Sequence, residues 1–397
     1  MRILLLNQFV PPDVAPTARL LGEVGEELTR RGHEVLAIGN RADYRGKKTF
    51  LGSRALREVF ALLQLLVRGS LQRRCDVMLS LTSPPLLPVL GLLLRFRHRR
   101  VRLVHWGMDL YPDVAVELGE IERGSPLHRA TRWLMEKAYQ ACDLIITLDD
   151  DMASRIKAPQ SERAVVAPWP PPPSWPSEVQ ISCSSKENET EVGEESDSLR
   201  DDQRSGSLGP HRSRDGEERF TWLYSGNLGR AHEWETLLKA QGILEGRGLM
   251  ISLVFQGRGT EIAKAKKRAE TLGLQHCLWR DYAEENRVVE TLLSADCLVA
   301  TQRRETRGCL WPSKLALASL LDQPIVWIGP EEGSVSTWLA GEGHGCFAVG
   351  ETTQVADHIE ALSQAARKAP ISIDVLKVRV GDVRRKGIAR LASLILG

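Results

Sequence analysis

One pattern constrains this 397-residue chain more than any other: short apolar runs alternate with stretches of helical apolar spacing, and they do so twice. In the first half, Arg2–Leu6, Val35–Ile38, Val77–Leu81, Arg102–His105 and Leu144–Leu148 read as strands. Most are continuous apolar runs without in-and-out alternation, as strands buried on both faces require. Between them, Thr17–Arg31 carries Leu20, Leu21, Val24 and Leu28 at helical spacing and stops at Gly32, and Pro126–Ala141 reads as a second helix. The second half repeats the plan. Strands are expected at Phe220–Tyr224, Met250–Phe255, Leu278–Trp279, Cys297–Ala300 and Ile325–Ile328. Helices are expected at Glu233–Glu245, Glu261–Leu272, Arg287–Ser294 and Ser313–Leu321. Such alternation implies parallel sheets with right-handed crossovers, an α/β architecture built twice.

The segment between the halves has a different character. Trp169 is followed by four prolines, and Ser174–Arg219 is rich in Ser, Asp, Glu and Arg and poor in large apolar residues. A chain of that composition buries too little apolar surface to offset the entropy of ordering it. The expected organisation is therefore a domain over 1–167, a Pro-rich then disordered acidic and Ser-rich linker over 168–219, a second domain over 220–370, and a C-terminal helix in 371–397 that packs back on the first domain.

A net charge of +2 excludes a nucleic-acid binder of the basic type. The seven cysteines are scattered and never form a Cys-x-x-Cys pair. They read as reduced, buried thiols of a cytoplasmic protein, with no disulfide framework or zinc site. The longest apolar stretch, Leu86–Leu94, falls far short of a bilayer span. Charge is uneven, however. From Arg41 to Arg102 there are fourteen Lys or Arg against Asp43, Glu58 and Asp76. Leu86–Leu94, followed by Arg95-Phe96-Arg97-His98-Arg99-Arg100, supports two readings: a segment resting on an anionic membrane surface, or a buried helix with a solvated basic end.

Four loops follow strands and so fall where open α/β sheets bind ligands. The first runs from Asn7 and Gln8 through Asp13, with two prolines that stiffen it. The second, His105–Asp113, offers His105 and Asp109 for sugar hydroxyls or proton transfer. The third, Tyr224–His232, contains Gly226, Asn227, Gly229 and Arg230, a combination suited to a diphosphate near a helix N-terminus. The fourth, Arg303–Lys314, brings Ser313 as a helix cap and Lys314 as a point charge.

In their order along the chain, these residues resemble the retaining glycosyltransferases of family 4, in particular the branch of bacterial polysaccharide and cell-envelope biosynthesis. The resemblance is carried by Asn7-Gln8 with Pro11-Pro12-Asp13, Arg31–Val35, Asp109–Asp113, Tyr224–Arg230, and Pro312-Ser313-Lys314 with Gln323-Pro324. It implies a GT-B fold, two Rossmann-like domains facing a cleft. It also implies sugar transfer with retention from a nucleotide-sugar, usually UDP-linked, to a glycan or lipid-linked acceptor, with no metal or other cofactor. By analogy Gly226, Asn227 and Arg230 would hold the diphosphate, Ser313 and Lys314 the nucleotide end, and Glu331 or Glu332 the sugar. His105 or Asp109 would face the reacting centre, and Asn7, Gln8 and Asp13 would line the acceptor side. The expected place is the cytoplasm, with peripheral contact at the membrane's cytoplasmic face. The chain departs from the family pattern at Thr306, His232, Glu233 and Lys314. Arg258 or His232 is the candidate to replace a lysine common after Arg230. The alternatives are a nucleotide-sugar-binding relative that has lost catalysis and a GT-B sugar-nucleotide epimerase.

Overall fold

The computed structural model describes residues 1–13, 15–40, 54–173, 175, 219–365 and 370–397. The acidic, Ser-rich part of the expected linker lies almost wholly outside them.

The first half comprises β1 (Arg2–Leu6), α1 (Pro16–Arg30), β2 (Glu34–Ile38), α2 (Arg54–Ser70), β3 (Val77–Ser80), α3 (Leu87–Leu94), β4 (Arg102–Trp106), α4 (Asp113–Glu117), α5 (Pro126–Ala141), β5 (Leu144–Thr147), α6 (Asp150–Arg155) and β6 (Glu162–Val165). The second comprises β7 (Phe220–Ser225), α7 (Glu235–Gly246), β8 (Ile251–Gln256), α8 (Ile262–Thr271), β9 (Cys277–Arg280), α9 (Val288–Leu293), β10 (Cys297–Thr301), α10 (Leu315–Ala318), β11 (Ile325–Ile328), α11 (Ser334–Gly341), β12 (Gly345–Phe347), α12 (Thr352–Gln364) and α13 (Ile373–Leu396).

Each half forms a six-stranded parallel sheet, in the orders β2-β1-β3-β4-β5-β6 and β12-β11-β10-β7-β8-β9. The order reverses between β1 and β3 in the first sheet and between β7 and β10 in the second. A crevice opens at such a reversal, beyond the carboxyl ends of the strands. Helices cover both faces, which explains the unbroken apolar runs of the central strands: Ile3 to Leu6 and Ile325 to Ile328 are all buried. Some polar groups in the core are partnered, as when the Trp222 indole N–H donates to Gln241 Oε1 at 2.9 Å, whereas others, such as Trp106 Nε1 and Trp327 Nε1, are not.

Helix α13 fastens the two halves together. Its first turns, through Leu376 and Val380, join the second domain's core beside Trp327 and Leu339. Its last turns, through Leu391, Ala392 and Ile395, join the first domain's core beside Leu5, Leu28 and Leu79. Between them Arg384 reaches Glu23 on α1 at 2.6 Å. Gly387 passes Trp169 so closely that a Cβ there would sit 2.5 Å from the indole.

Of the two readings of Leu86–Leu94, the buried helix with a solvated basic end is the one observed: α3 buries Leu87, Leu90 and Leu94 in the first domain's core, and Arg95, Arg97, Arg99 and Arg100 are exposed. One expectation needs correction. The helix expected over Ser313–Leu321 is one turn, Leu315–Ala318, and Ser313 provides it no side-chain cap.

Candidate functional site

The reversal between β7 and β10 places two loops side by side, the turn after β7 and the long loop leading to α10. Gly226 opens the first with φ of +133°, a conformation that costs a side-chain-bearing residue dearly. Its N–H donates to the Gln256 carbonyl at 2.8 Å. A neighbouring turn, Gly257-Arg258-Gly259, packs backbone to backbone on it. A Cβ at Gly257 would lie 2.2 Å from the Gly226 carbonyl oxygen, and one at Gly259 equally close to that of Leu228. These two glycines shape the site, and sequence reasoning missed them, although a Gly-x-Gly at a strand's end was there to be read.

Lys314 lies beneath this turn. Its chain passes Gly226, where a Cβ would come 3.5 Å from Cε and 3.6 Å from Nζ. The Nζ sits 3.3 Å above the Tyr224 ring, enclosed, and with no hydrogen-bond partner. Part of the residue reaches solvent, but the amine does not. Burial holds that ammonium well below the usual lysine range. His232 meets Tyr224 edge-on at 5.8 Å. Its Nδ1 donates to the Thr301 carbonyl at 2.8 Å, which fixes the proton on Nδ1 because a carbonyl only accepts. Burial first, then the Lys314 charge, pushes His232 down to about 3, so the ring is neutral and cannot replace a lysine there. Arg258 is also engaged, with two bonds to Asp281 at 2.8 and 2.6 Å. Asn227 and Ser313 are exposed, as are Glu331 and Glu332 after β11.

In the first domain, Asn7 is wholly buried, and its Nδ2 donates to the Phe9 carbonyl at 2.6 Å. It braces its own loop from inside and does not line the cleft as expected. Gln8 ties that loop to the one after β3, through its N–H to the Ser83 carbonyl at 2.6 Å and its Oε1 to Ser83 Oγ at 3.0 Å. Asp13 accepts from the Ala15 N–H at 2.8 Å and turns the chain into α1. His105, expected at the reacting centre, is fully enclosed. Its Nδ1 lies 3.0 Å from the Ser80 carbonyl and its Nε2 has no partner, while burial pushes it down to about 4. It is a neutral wall residue. Asp109, one turn further on, keeps partial access to solvent. Burial among its neighbours alone pushes its carboxyl up to about 6.

The two loop sets meet. Asp109 forms an isolated antiparallel bridge with Leu310, and the Leu110 N–H donates to the Cys309 carbonyl at 2.7 Å. Asp151, on α6, accepts from Arg307 Nε at 2.8 Å and from the Ser334 N–H at the start of α11 at 2.6 Å. Arg307 and that helix start hold the Asp151 carboxyl below its usual range despite burial. Arg230 reaches across to the Leu118 carbonyl at 2.7 Å and to Glu120 at 2.5 Å. Glu120, Asp151 and Arg307 drew no attention in the sequence, because only the meeting of the domains gives them partners. The structure thus gathers Gly226, Arg258 and Lys314 at one switch point and Asp109 across from them. It sets His105 and Asn7 behind the cleft wall.

No protein-family model matches the chain, and no curated protein matches it by sequence. Solved structures do. The chain is similar to sucrose-phosphate synthase from Thermosynechococcus elongatus, with a TM-score of 0.65 at 12% identity over 99% of this chain and 98% of that one. It is similar to HepE of Anabaena, solved with UDP-glucose, with a TM-score of 0.58 at 13% identity over 99% and 100%. It is also similar to WaaG, a glycosyltransferase involved in lipopolysaccharide biosynthesis, with a TM-score of 0.55 at 14% identity over the whole of both chains. Two parallel six-stranded sheets with interleaved helices, matched end to end by these structures, give this chain the GT-B fold of glycosyltransferases.

Proposed function

We propose that the chain is a glycosyltransferase that moves a sugar from a nucleotide-sugar, UDP-linked, to a glycan or lipid-linked acceptor with retention of configuration, in the manner of family 4. The observation that carries this reading is Lys314: an enclosed, unpartnered amine beneath a glycine turn at the switch point of the second sheet. A buried cation without a counter-ion is costly, and an anion delivered by a ligand removes the cost. A diphosphate on the Gly226 turn is that anion. Arg230 stands at the same loop, so two basic side chains neutralise the leaving diphosphate and no metal is required. Asn227 and Ser313 border the turn, and Glu331 and Glu332 stand at the start of α11 for the donor's sugar. HepE, of the same fold, was solved with UDP-glucose and with UDP and glucose.

Asp109 is the group for proton transfer. Its raised carboxyl is half ionised close to neutrality, where a general base works best. His105, without access, takes no part. The test is thermal denaturation with UDP, GDP, ADP and UDP-glucose. A ligand that binds only the folded state raises the midpoint, by about 2.7 kcal/mol of stability at one hundred times its Kd. UDP and UDP-glucose should shift it. No shift with any of them would remove the reading. A shift with UDP together with no sugar release or transfer from any donor would favour the binding-only relative.

A further inference from the structure

Thr306, where the chain departs from the family pattern, is enclosed. It is 1% exposed, and its Oγ1 donates to the Arg303 carbonyl at 2.9 Å. Gln302, also buried, donates from Nε2 to the carbonyls of Thr306 at 3.0 Å and Leu310 at 3.1 Å. Buried side chains bonded to both ends of a turn stiffen it. Residues 302–310 therefore form a braced shelf on the second domain, and Arg307 extends from it to the first.

The first turn of α6 is seated on that shelf. Asp149 caps the helix by accepting from the Met152 N–H at 2.7 Å, which leaves Asp151 to the second domain. The Asp151 carboxylate accepts from Arg307 Nε and from the Ser334 N–H, and the Asp151 N–H donates back to Ser334 Oγ at 3.1 Å. The backbones fit as closely. Gly308, with φ of +67°, approaches α6 so nearly that a Cβ would lie 2.7 Å from the Asp151 carbonyl oxygen and 3.2 Å from the Met152 nitrogen. Both its φ and that spacing suit glycine alone. One turn along α6, Arg155 Nη2 donates to the Glu305 carbonyl at 3.4 Å.

In the first domain α13 packs beside β1 and β3, whereas α6 follows β5, two strands further along the sheet. The domains are thus joined at one place by a helix and held at another by the α6 seat. Another cross-domain pair, Arg19 on α1 with Glu285 ahead of α9, has side chains 29% and 49% exposed, so water weakens it. The Asp151 side chain is 12% exposed and its bonds are charge-assisted, so the seat is the stronger hold. We propose that the first turn of α6 is a latch that keeps the cleft shut, and that a nucleotide-sugar reaches the Gly226 turn once Asp151 has left Arg307 and α11. What enters the cleft rests on the donor reading; the latch does not.

Two variants of the full chain test it. D151N keeps the shape of the side chain and removes its charge. G308A keeps every charge and sets a methyl group against the Asp151 backbone. Small-angle scattering should give each a larger radius of gyration than the unmodified protein, with circular dichroism verifying the fold. R307Q breaks the pair from the other domain and should enlarge the radius equally, so the latch is tested even where one variant fails to fold. Trading a charge-assisted bond for a neutral one should raise the open population about tenfold. UDP association in stopped flow should quicken by the same factor, since only the open form admits it. G308A should also quicken it, which loss of a negative charge near the diphosphate does not explain. Unchanged scattering in the folded variants would overturn the latch, as would faster association in D151N with G308A unchanged. Opening in scattering with no UDP binding by any form of the protein would keep the latch and remove the donor reading.

Discussion

Replacing Lys314 with methionine separates a structural lysine from one that awaits an anion, because the two readings predict opposite signs. The Nζ has no partner and is enclosed. Leaving a buried polar group unpaired costs about 1–3 kcal/mol. Its position over the Tyr224 ring returns about 0.5–2 kcal/mol when the amine is charged. Methionine has a similar length and removes both terms. The variant should then match the unmodified protein or exceed it by up to about 2 kcal/mol, a rise of a few degrees in melting temperature. UDP affinity should move the other way. A hydrogen bond from a charged donor is worth about 1.5–3 kcal/mol, or roughly 10- to 150-fold in Kd.

The pH dependence follows from the same burial. A lysine held below its ordinary value of 10.5 binds fewer protons folded than unfolded between those two pKa values. Stability therefore rises with pH through that window, and K314M should flatten the rise. A bound diphosphate draws the ammonium's pKa back up, so UDP binding takes up a proton and weakens as pH increases. Calorimetry in buffers of different ionisation enthalpy measures that proton directly. A K314M protein that melts lower and binds UDP within twofold of the unmodified chain would refute the reasoning.

Three further outcomes are expected. With Asp109 as the base and its carboxyl at about 6, kcat/KM should fall tenfold per pH unit below that value, and D109N should lower it by about 10²–10⁴ and flatten the acid limb of the profile. Glu120 competes with any ligand for Arg230, in a pair that is partly solvated and so worth about 0.2–1 kcal/mol. E120Q should accordingly bind UDP up to about fivefold more tightly in a direct titration, and R230A more weakly. Leu391 is fully buried where α13 closes the first domain, so L391A should lose about 2–5 kcal/mol in urea unfolding.

Where a feature is local, the sequence carried it. The apolar runs of β1, β4 and β11 match the observed strands to within a residue because a strand buried on both faces reads as an unbroken apolar run. Helix α5 spans Pro126–Ala141 as expected, and the Ser125 side chain before it accepts from the His128 N–H. The failures are tertiary. Nothing near His105 in the chain distinguishes a histidine facing a cleft from one whose Nδ1 meets the Ser80 carbonyl of a neighbouring strand, 25 residues away. Asn7 sits in the right loop, but its amide turns inward to Phe9. A helix is expected over Ser313–Leu321, but α10 is the single turn Leu315–Ala318; beyond it Leu320 and Leu321 pack the second domain's core outside the helix.

The contacts that close the cleft explain why those residues were hard to read. Arg230 and Arg307 project from the second domain and are met by Glu120 and Asp151 of the first. Ser334, at the start of α11, is met by the same Asp151 carboxylate. A helix start and two arginines are what a phosphorylated sugar would seek, and here carboxylates of the partner domain occupy them. On the proposed reading, closure and ligand binding would therefore draw on the same donors. The Arg307–Asp151 pair is the more enclosed of the two, with the Asp151 side chain 12% exposed, so it resists exchange. Arg230, more open to solvent and held by a carbonyl and one carboxylate, exchanges more readily. Of the basic groups at this site, Arg230 can change partners and Lys314 has none to lose. On the proposed reading, a diphosphate arriving at the Gly226 turn would therefore meet one charge released from the opposite domain and one that burial has held in reserve.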